Sequence, residues 1–266
     1  MTGAWFCQEA GRGFPLMLLH GLGASSFSWR GNIGPLSRHY RVLAPDLPAH
    51  GRTPPAAVPD FRLETLTREL LRLLDRRGVT RAALAGNSLG GGLALLLARE
   101  HPERFPALIL LAPAVGMPHL PRFFYPLRLP FLGWALALLL GPWTAWAALH
   151  YSYYRRELIT PGVIQGYAPT FRTLAQRLAL RRLICQVDPL PLPQAETFLG
   201  QLTQPVCLLW GERDRIFPVP QALWLHKHLP RAETHILPQV GHAPQEEAPG
   251  PVNEIIIAFL ARTLKN

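Results

Sequence analysis

Residues 86–91 read Gly86-Asn87-Ser88-Leu89-Gly90-Gly91, and the interpretation of the whole chain depends on this stretch. An apolar run at 82–85 precedes it, and a run with helical spacing at 93–99 follows it. A glycine–x–serine–x–glycine pattern between a strand and a helix predicts a sharp turn in which the serine has strained backbone angles. The glycines leave room in the crowded turn, and the following helix directs free N–H groups toward Ser88. The pattern therefore predicts a serine hydroxyl held clear of the chain.

Three other segments each follow a strand-like apolar run. They are His20-Gly21-Leu22-Gly23 after 16–19, the loop 210–218 with Asp214 after 206–209, and Gly241-His242-Ala243-Pro244 after 234–237. With the serine turn, they make the chain similar to the α/β-hydrolase superfamily, in which nucleophile, acid and histidine follow in this order. The resemblance extends from about Gly13 to the C-terminus and is weakest from about Pro113 to Leu202.

The resemblance implies a role for each matching position. Ser88 would be the nucleophile, Asp214 the acid and His242 the base, and the backbone N–H groups of Leu22 and Leu89 would hold an oxyanion. Glu212 and Asp188 compete with Asp214 for the role of acid. Residues 112–113, at the family's alternative acid position, are Ala-Pro, which favours the loop at 212–214. The mechanism implied in this way requires no metal and no organic cofactor.

The alternation of apolar runs predicts an α/β fold with a doubly wound, mostly parallel sheet. Strands are expected at 16–19, 41–44, 82–85, 108–111, 206–209 and 234–237, with helices at 63–77, 222–229 and 252–264. Only one short strand, around 4–8, fits ahead of 16–19, so the sheet is expected to lack the family's first strand. The core would comprise 1–112 and 203–266, with a helical cap at 113–202 inserted after the family's sixth strand.

The proposed cap is basic and partly free of charge. It contains only three acidic residues, Glu157, Asp188 and Glu196, which gives a net charge of +5 out of the chain's formal +10. Its eight arginines are at 122, 128, 155, 156, 172, 177, 181 and 182. Residues 129–149 contain no charged side chain. Prolines and glycines at 130, 133, 141 and 142 predict two short helices rather than a membrane span. A peripheral membrane contact and an acidic acyl carrier protein both remain open as partners of this basic cap.

Other residues have more general interpretations. Trp29, Asn87, Phe124, Trp134 and Trp143 are candidates for the substrate pocket, although such aromatics more often pack in cores. His20, Asp46 and His50 are expected to orient loops. The three cysteines show no metal-ligand or disulfide spacing, and the N-terminus lacks the features of a signal peptide, so a cytoplasmic location is expected. Nucleic acid is not expected as a partner despite a pI of about 10.4, because no binding module is recognisable.

The sequence favours a carboxylesterase for small to medium esters with an apolar acyl group, and three alternatives stay open. Asn87 and the stretch 156–161 resemble the meta-cleavage-product hydrolases, which cleave carbon–carbon bonds, but Ala243 stands where many of them carry tryptophan. Arginines 155, 156, 177, 181 and 182 fit an esterase that acts on acyl carrier protein esters. Residues 20–51 resemble the magnesium chelatase accessory proteins, and a non-catalytic receptor is the third alternative.

Overall fold

A mostly parallel β-sheet forms the centre of the computed structural model, which describes residues 5–115, 122–187 and 192–264. Its seven described strands are β1 Cys7–Ala10, β2 Pro15–Leu19, β3 Arg41–Pro45, β4 Ala83–Asn87, β5 Leu108–Leu111, β6 Val206–Gly211 and β7 Ala232–Leu237. They lie in the order β1-β3-β2-β4-β5-β6-β7. The edge strand β1 is antiparallel to β3, and the remaining pairs are parallel. This is the predicted α/β-hydrolase sheet.

Helices occupy the connections between the strands. They are α1 Arg30–Ser37, α2 Leu63–Arg76, α3 Leu89–Glu100, α4 Tyr125–Arg128, α5 Leu132–Leu139, α6 Pro142–Ser152, α7 Pro161–Tyr167, α8 Leu174–Gln186, α9 Leu192–Gly200, α10 Val219–His228, α11 Pro244–Glu247 and α12 Pro249–Thr263. Local sequence explains several of their starts. Thr160 caps α7 ahead of a proline at the first helical position, and Thr173 forms a capping box with Gln176 at α8.

Both faces of the sheet are buried, because alternate residues of each strand enter different cores. Met17 and Leu19 of β2 pack in a large cluster with α2, α3 and α10. Leu16 and Leu18 pack in a second cluster with α1 and α12. A strand covered on both sides reads as a continuous apolar run, and this is why the strands could be recognised in the sequence.

No strand precedes β1 in the described part of the chain. The strand before the helical insertion is therefore fifth in this sheet, although it corresponds to the sixth in the family's count. Six described helices, α4 to α9, lie between β5 and β6. We use the word cap for this helical segment; its boundaries at 113 and 202 stay a prediction.

The uncharged stretch within the cap is broken, as its prolines and glycines predicted. It forms α5 and α6, with a break at Leu140–Gly141. Within the described ranges, no single helix has both the length and the apolar character needed to cross a membrane. Together α5 and α6 meet the length and composition requirement, but they are bent by 98° at the break.

Candidate active site

Ser88 lies in the turn between β4 and α3 and has φ of 52° and ψ of −116°. This left-handed conformation is strained for a residue with a side chain. A Cβ at Gly86 would come 2.3 Å from the carbonyl oxygen of Gly90, and a Cβ at Gly90 would come 2.3 Å from that of Leu19. The Ser88 side chain makes no hydrogen bond to another described residue. The turn therefore has the predicted strain, and its glycines are needed for close backbone contacts.

Asp214 and His242 meet at the same edge of the sheet, one after β6 and the other after β7. His242 Nδ1 lies 2.7 Å from Asp214 Oδ2, and both side chains are buried. The other carboxylate oxygen, Oδ1, accepts hydrogen bonds from the backbone N–H groups of Ile216 and Phe217 at 2.8 and 2.9 Å. Glu212 is exposed and pairs with Arg213, and Asp188 lies outside the described residues. Of the described acidic candidates, Asp214 is therefore the partner of His242.

The loop that begins at His20 lies directly beside Ser88. A Cβ on Gly21 would lie 3.2 Å from the Ser88 Cβ. Within the described residues, neither the N–H of Leu22 nor that of Leu89 has a hydrogen-bond acceptor. Leu89 is the first residue of α3, where a backbone N–H has no acceptor within the helix. Two free N–H groups, from Leu22 and Leu89, thus flank the Ser88 position.

His20 and His50 hold this loop in place, as the sequence predicted. His20 Nε2 accepts from the Leu47 N–H at 2.9 Å, and His50 Nε2 accepts from the Gly23 N–H at 3.0 Å. Asp46 accepts from the backbone N–H groups of Ser26 and Arg52. Burial, with a smaller contribution from His20, lowers the pKa of His50 to about 3, so His50 is a neutral acceptor at ordinary pH.

A cavity of about 490 Å³ lies between the sheet edge and the cap. Ser88 and His242 both line it, together with the loop at 21–24. Most other lining side chains are aliphatic or aromatic, and among the described lining residues none is arginine or lysine. Glu246, the only carboxylate among the described lining residues, binds Arg30 and Tyr167. Ser88 and the paired His242 therefore share one mostly apolar cavity.

Two of the five predicted pocket residues line the cavity, namely Asn87 and Phe124. The predictions for Trp29, Trp134 and Trp143 were wrong. Trp29 is fully buried in the core beneath α1 and α12, because the turn at Ser26–Trp29 carries it to that face of the sheet. Trp134 and Trp143 are half exposed on the outer side of the cap. Asn87 also donates to the carbonyl oxygens of Leu111 and His242, so it supports the histidine loop.

Two buried carboxylates next to the site were missed by the sequence analysis. Glu246 joins core to cap through Arg30 and Tyr167. Glu247 accepts from the N–H groups of Gly241, Tyr154 and Arg155 at 2.9, 2.8 and 3.0 Å. Burial raises the pKa of both carboxyls. Their sequence signal is weak, because adjacent acidic residues after a proline also fit an exposed first helical turn.

One group of metal-ligand side chains lies elsewhere in the described structure. Cys207, Glu233 and His235 place their ligand atoms within 4.8 Å of one another on β6 and β7. Burial raises the pKa of the Cys207 thiol, which disfavours the thiolate that a metal requires. Glu233 is also paired with Arg262. We therefore assign no metal to this group.

The chain belongs to the α/β hydrolase fold family, whose model matches residues 15–249. The match contains the serine turn and the loops that carry Asp214 and His242. The protein is therefore a hydrolase of this fold.

Curated relatives and solved structures agree with this placement. A 2-hydroxy-6-oxo-6-phenylhexa-2,4-dienoate hydrolase from Burkholderia cepacia is 30% identical over 261 residues, which cover 96% of this chain and 90% of that protein. The structure of a bacterial membrane phospholipase A is 27% identical, with a TM-score of 0.79 over 98% of this chain and 83% of that one. A thermophilic esterase from Thermogutta terrifontis is similar in fold, at 22% identity and a TM-score of 0.81, over 97% and 93% of the two chains.

Proposed function

We propose that the protein is a serine carboxylesterase that cleaves uncharged esters with an apolar acyl group. The observation that supports it best is the shared, mostly apolar cavity that holds Ser88 and the Asp214-paired His242 without an arginine or lysine among its described lining residues. The likeness to the phospholipase A supports the same ester-cleaving class.

The chemistry follows from the positions of three side chains. Asp214 accepts from His242 Nδ1–H, which leaves Nε2 free to take the proton of Ser88 as Oγ attacks the ester carbonyl carbon. The unpaired N–H groups of Leu22 and Leu89 then stabilise the oxyanion. His242 returns the proton to the leaving alcohol, and water releases the acid from the acyl-enzyme. The hydrogen bond between Ser88 and His242 forms with substrate bound, since such contacts are often loose in the free enzyme.

A fluorophosphonate probe and p-nitrophenyl esters test this proposal. Wild-type protein should be labelled once, Ser88→Ala should not be labelled, and its kcat should fall by a factor on the order of 10⁶. Ser152→Ala is the matched control, since Ser152 is a second serine of the same cavity and should leave labelling intact. Labelling that persists in Ser88→Ala would contradict the assignment.

The acyl group is tested with esters of increasing chain length. Each buried CH₂ contributes about 0.8 kcal/mol, so kcat/KM should rise about fourfold per carbon and drop once the cavity is full. A steady fall from the acetate onward would show that the substrate does not use this apolar volume.

Carbon–carbon bond hydrolysis of a dienoate is the second candidate, because the Burkholderia cepacia relative is named as a hydrolase of a 2-hydroxy-6-oxo-dienoate. A dienoate substrate brings a carboxylate, which needs a cationic partner when buried. Neither Arg172 nor Arg177 of the cap lines the cavity, and Arg177 donates to backbone carbonyl oxygens of the cap. We expect aryl esters to exceed a 2-hydroxy-6-oxo-dienoate in kcat/KM by about tenfold or more. A faster reaction with the dienoate would reverse this ranking.

A further inference from the structure

The outer side of the cap carries large apolar side chains that are exposed to solvent. We name this surface the cap face; it consists of Phe131, Leu132, Leu138, Leu139, Trp143 and Trp146. Phe131 is 89% exposed, and the others are between 48% and 65% exposed. All lie on α5 and α6 or directly before α5. Exposed apolar side chains grouped in this way mark an interaction surface.

The cap face and the cavity lie on opposite sides of α6. Ala145 and Leu149 of α6 are buried and line the cavity, whereas Trp143 and Trp146 are exposed. α6 is thus fixed in the cavity wall and is not free to cross a bilayer with α5. A helix with one fixed side and one apolar outer side fits a surface that lies along a membrane interface.

Basic side chains border the cap face. Arg177 and Arg181 of α8 donate to the carbonyl oxygens of Leu138 and Leu129, each at 3.3 Å, and Arg181 lies 5.0 Å from the centre of the Trp134 ring. The sequence of the cap carries a net +5. Arginines around a surface rich in tryptophan and leucine match a bilayer with anionic headgroups, where rings lie at headgroup level and the positive charge meets the lipid phosphate.

We propose that the cap face docks on a lipid bilayer that contains anionic lipid. An acidic protein would use the arginines but leave Phe131, Leu139 and the tryptophans in water. A second copy would bring together two caps of the same net charge, which repel. The bilayer is the partner that uses both the apolar side chains and the charge.

Docking in this way would lay α6 along the bilayer, so the cavity opening at the C-terminal end of this helix would lie at the edge of the docked surface. Phe123 and Tyr151 line the cavity and are each 47% exposed, so they mark its opening. Tyr151 lies on α6, as Trp143 and Trp146 do. If the proposed esterase function holds, the acyl substrate would enter from the bilayer.

Sedimentation with vesicles tests the docking separately from catalysis, because it uses the full chain with Ser88→Ala. We expect binding to phosphatidylcholine vesicles that contain phosphatidylglycerol, and weaker binding to phosphatidylcholine alone or at high salt. Phe131→Ser/Leu139→Ser/Trp143→Ser should lower the partition coefficient by about tenfold or more. Leu223→Ser is the matched control, since Leu223 is 58% exposed on α10, which is not part of the cap face, and the variant should bind unchanged.

Three outcomes would overturn the proposal. The parent chain fails to sediment with anionic vesicles, the triple variant sediments as the parent does, or ultracentrifugation shows a dimer that the triple variant dissociates. The last result would assign the cap face to a second copy. The melting temperature of the triple variant should match that of the parent, because the replaced side chains are exposed. A matching value shows that weaker vesicle binding is not caused by unfolding.

Discussion

The carboxyl edge of the sheet and the cap contribute to the same cavity by different physical means. At the sheet edge, backbone geometry positions the candidate catalytic groups. Ser88 is strained, and Gly86, Gly90 and Gly211 lie where a Cβ would come within 2.3 Å of a carbonyl oxygen. In the cap, small clusters of side chains do the positioning, such as Leu140 with Phe171 and Leu180. Many of its large side chains remain exposed.

This difference explains why the sheet-edge site is easier to recognise in the sequence than the shape of the cavity under the cap. Where backbone atoms pack closely, only a few residue types fit, so the position is recognisable as a sequence motif. A cluster of apolar side chains can be built from many combinations of similar volume, so the sequence shows only an apolar composition there. The hydrolase fold can therefore be recognised from a short motif, whereas the shape of the cavity can be known only from the structure of the cap.

The largest effect is expected at the sheet edge, from Gly86→Ala. The new Cβ would lie 2.3 Å from the Gly90 carbonyl oxygen and 2.6 Å from the Gly91 nitrogen, both backbone atoms that cannot move without opening the Ser88 turn. We expect a loss of about 4 kcal/mol or more in the free energy of unfolding, or no folded protein. Urea denaturation followed by circular dichroism measures this loss. A variant as stable as wild type would show that the turn is not constrained by backbone contacts.

The next largest effect on stability is expected from Glu247→Gln, at the contact between the sheet edge and the cap. Glu247 ties Gly241, next to His242, to Tyr154 and Arg155 of the cap. Glutamine would direct an N–H₂ group at one of these backbone N–H groups, which costs about 1–3 kcal/mol in stability. We also expect about a tenfold fall in kcat, because the histidine loop would lose its support.

A matched replacement separates this effect from the loss of a charge. Glu157→Gln removes the exposed carboxylate that pairs with Arg155, and such a solvent-screened surface pair contributes little to stability. It should leave kcat unchanged. Equal kcat values for the two variants and wild type would show that the cap does not position His242 through Glu247.

The sequence was sufficient to predict the features that depend on backbone geometry. The serine turn, the order of the loops and the buried strands were all recognisable, because parallel strands are apolar throughout and turn glycines are spaced by sterics. The pairing of His242 with Asp214 rather than Glu212 matches the prediction, and the structure adds the burial and the 2.7 Å contact.

The sequence analysis was wrong or incomplete where a side chain's position depends on the direction of the chain or on packing between segments distant in sequence. Trp29 follows His20 by only nine residues, yet a single turn sends it to the far side of the sheet. Trp143 and Leu149 lie on one short helix, and which of them faces the cavity depends on how α6 packs on α7. The role of Glu247 in connecting the cap to the histidine loop is visible only in the structure, where residues 154–155 lie beside residue 241.

A moderate, pH-dependent effect is expected from His50, which supports the sheet-edge loop. The folded-state pKa of about 3 lies below the unfolded value near 6.5, so the unfolded chain binds a proton first. Stability from neutral His50 is complete above pH 6.5 and is lost as pH falls toward 3. The loss is at most about 1.4 kcal/mol per pH unit for one proton.

His50→Asn should therefore be less stable at pH 7 but lose less stability between pH 6 and pH 4. Buried His20, whose ring centre lies 5.1 Å from that of His50, keeps its own contribution, since burial lowers its pKa as well. His39→Asn, at an exposed histidine, is the control and should follow the wild-type profile. Parallel profiles for wild type and His50→Asn would refute the assignment.

The smallest effect, and of opposite sign, is expected in the cap from Gly162→Ala. Gly162 is exposed in the first turn of α7, and the nearest atom to a new Cβ is Thr160 Oγ1 at 3.8 Å, an ordinary contact. Alanine favours a helix over glycine by about 0.8–1 kcal/mol in the interior and by less near an end, so we expect a gain of about 0.5 kcal/mol. Urea denaturation beside Gly86→Ala gives the direct comparison, since the same added methyl group meets backbone at one site and open space at the other. A loss above about 1 kcal/mol for Gly162→Ala would mean that backbone contacts constrain the cap as closely as they constrain the sheet edge.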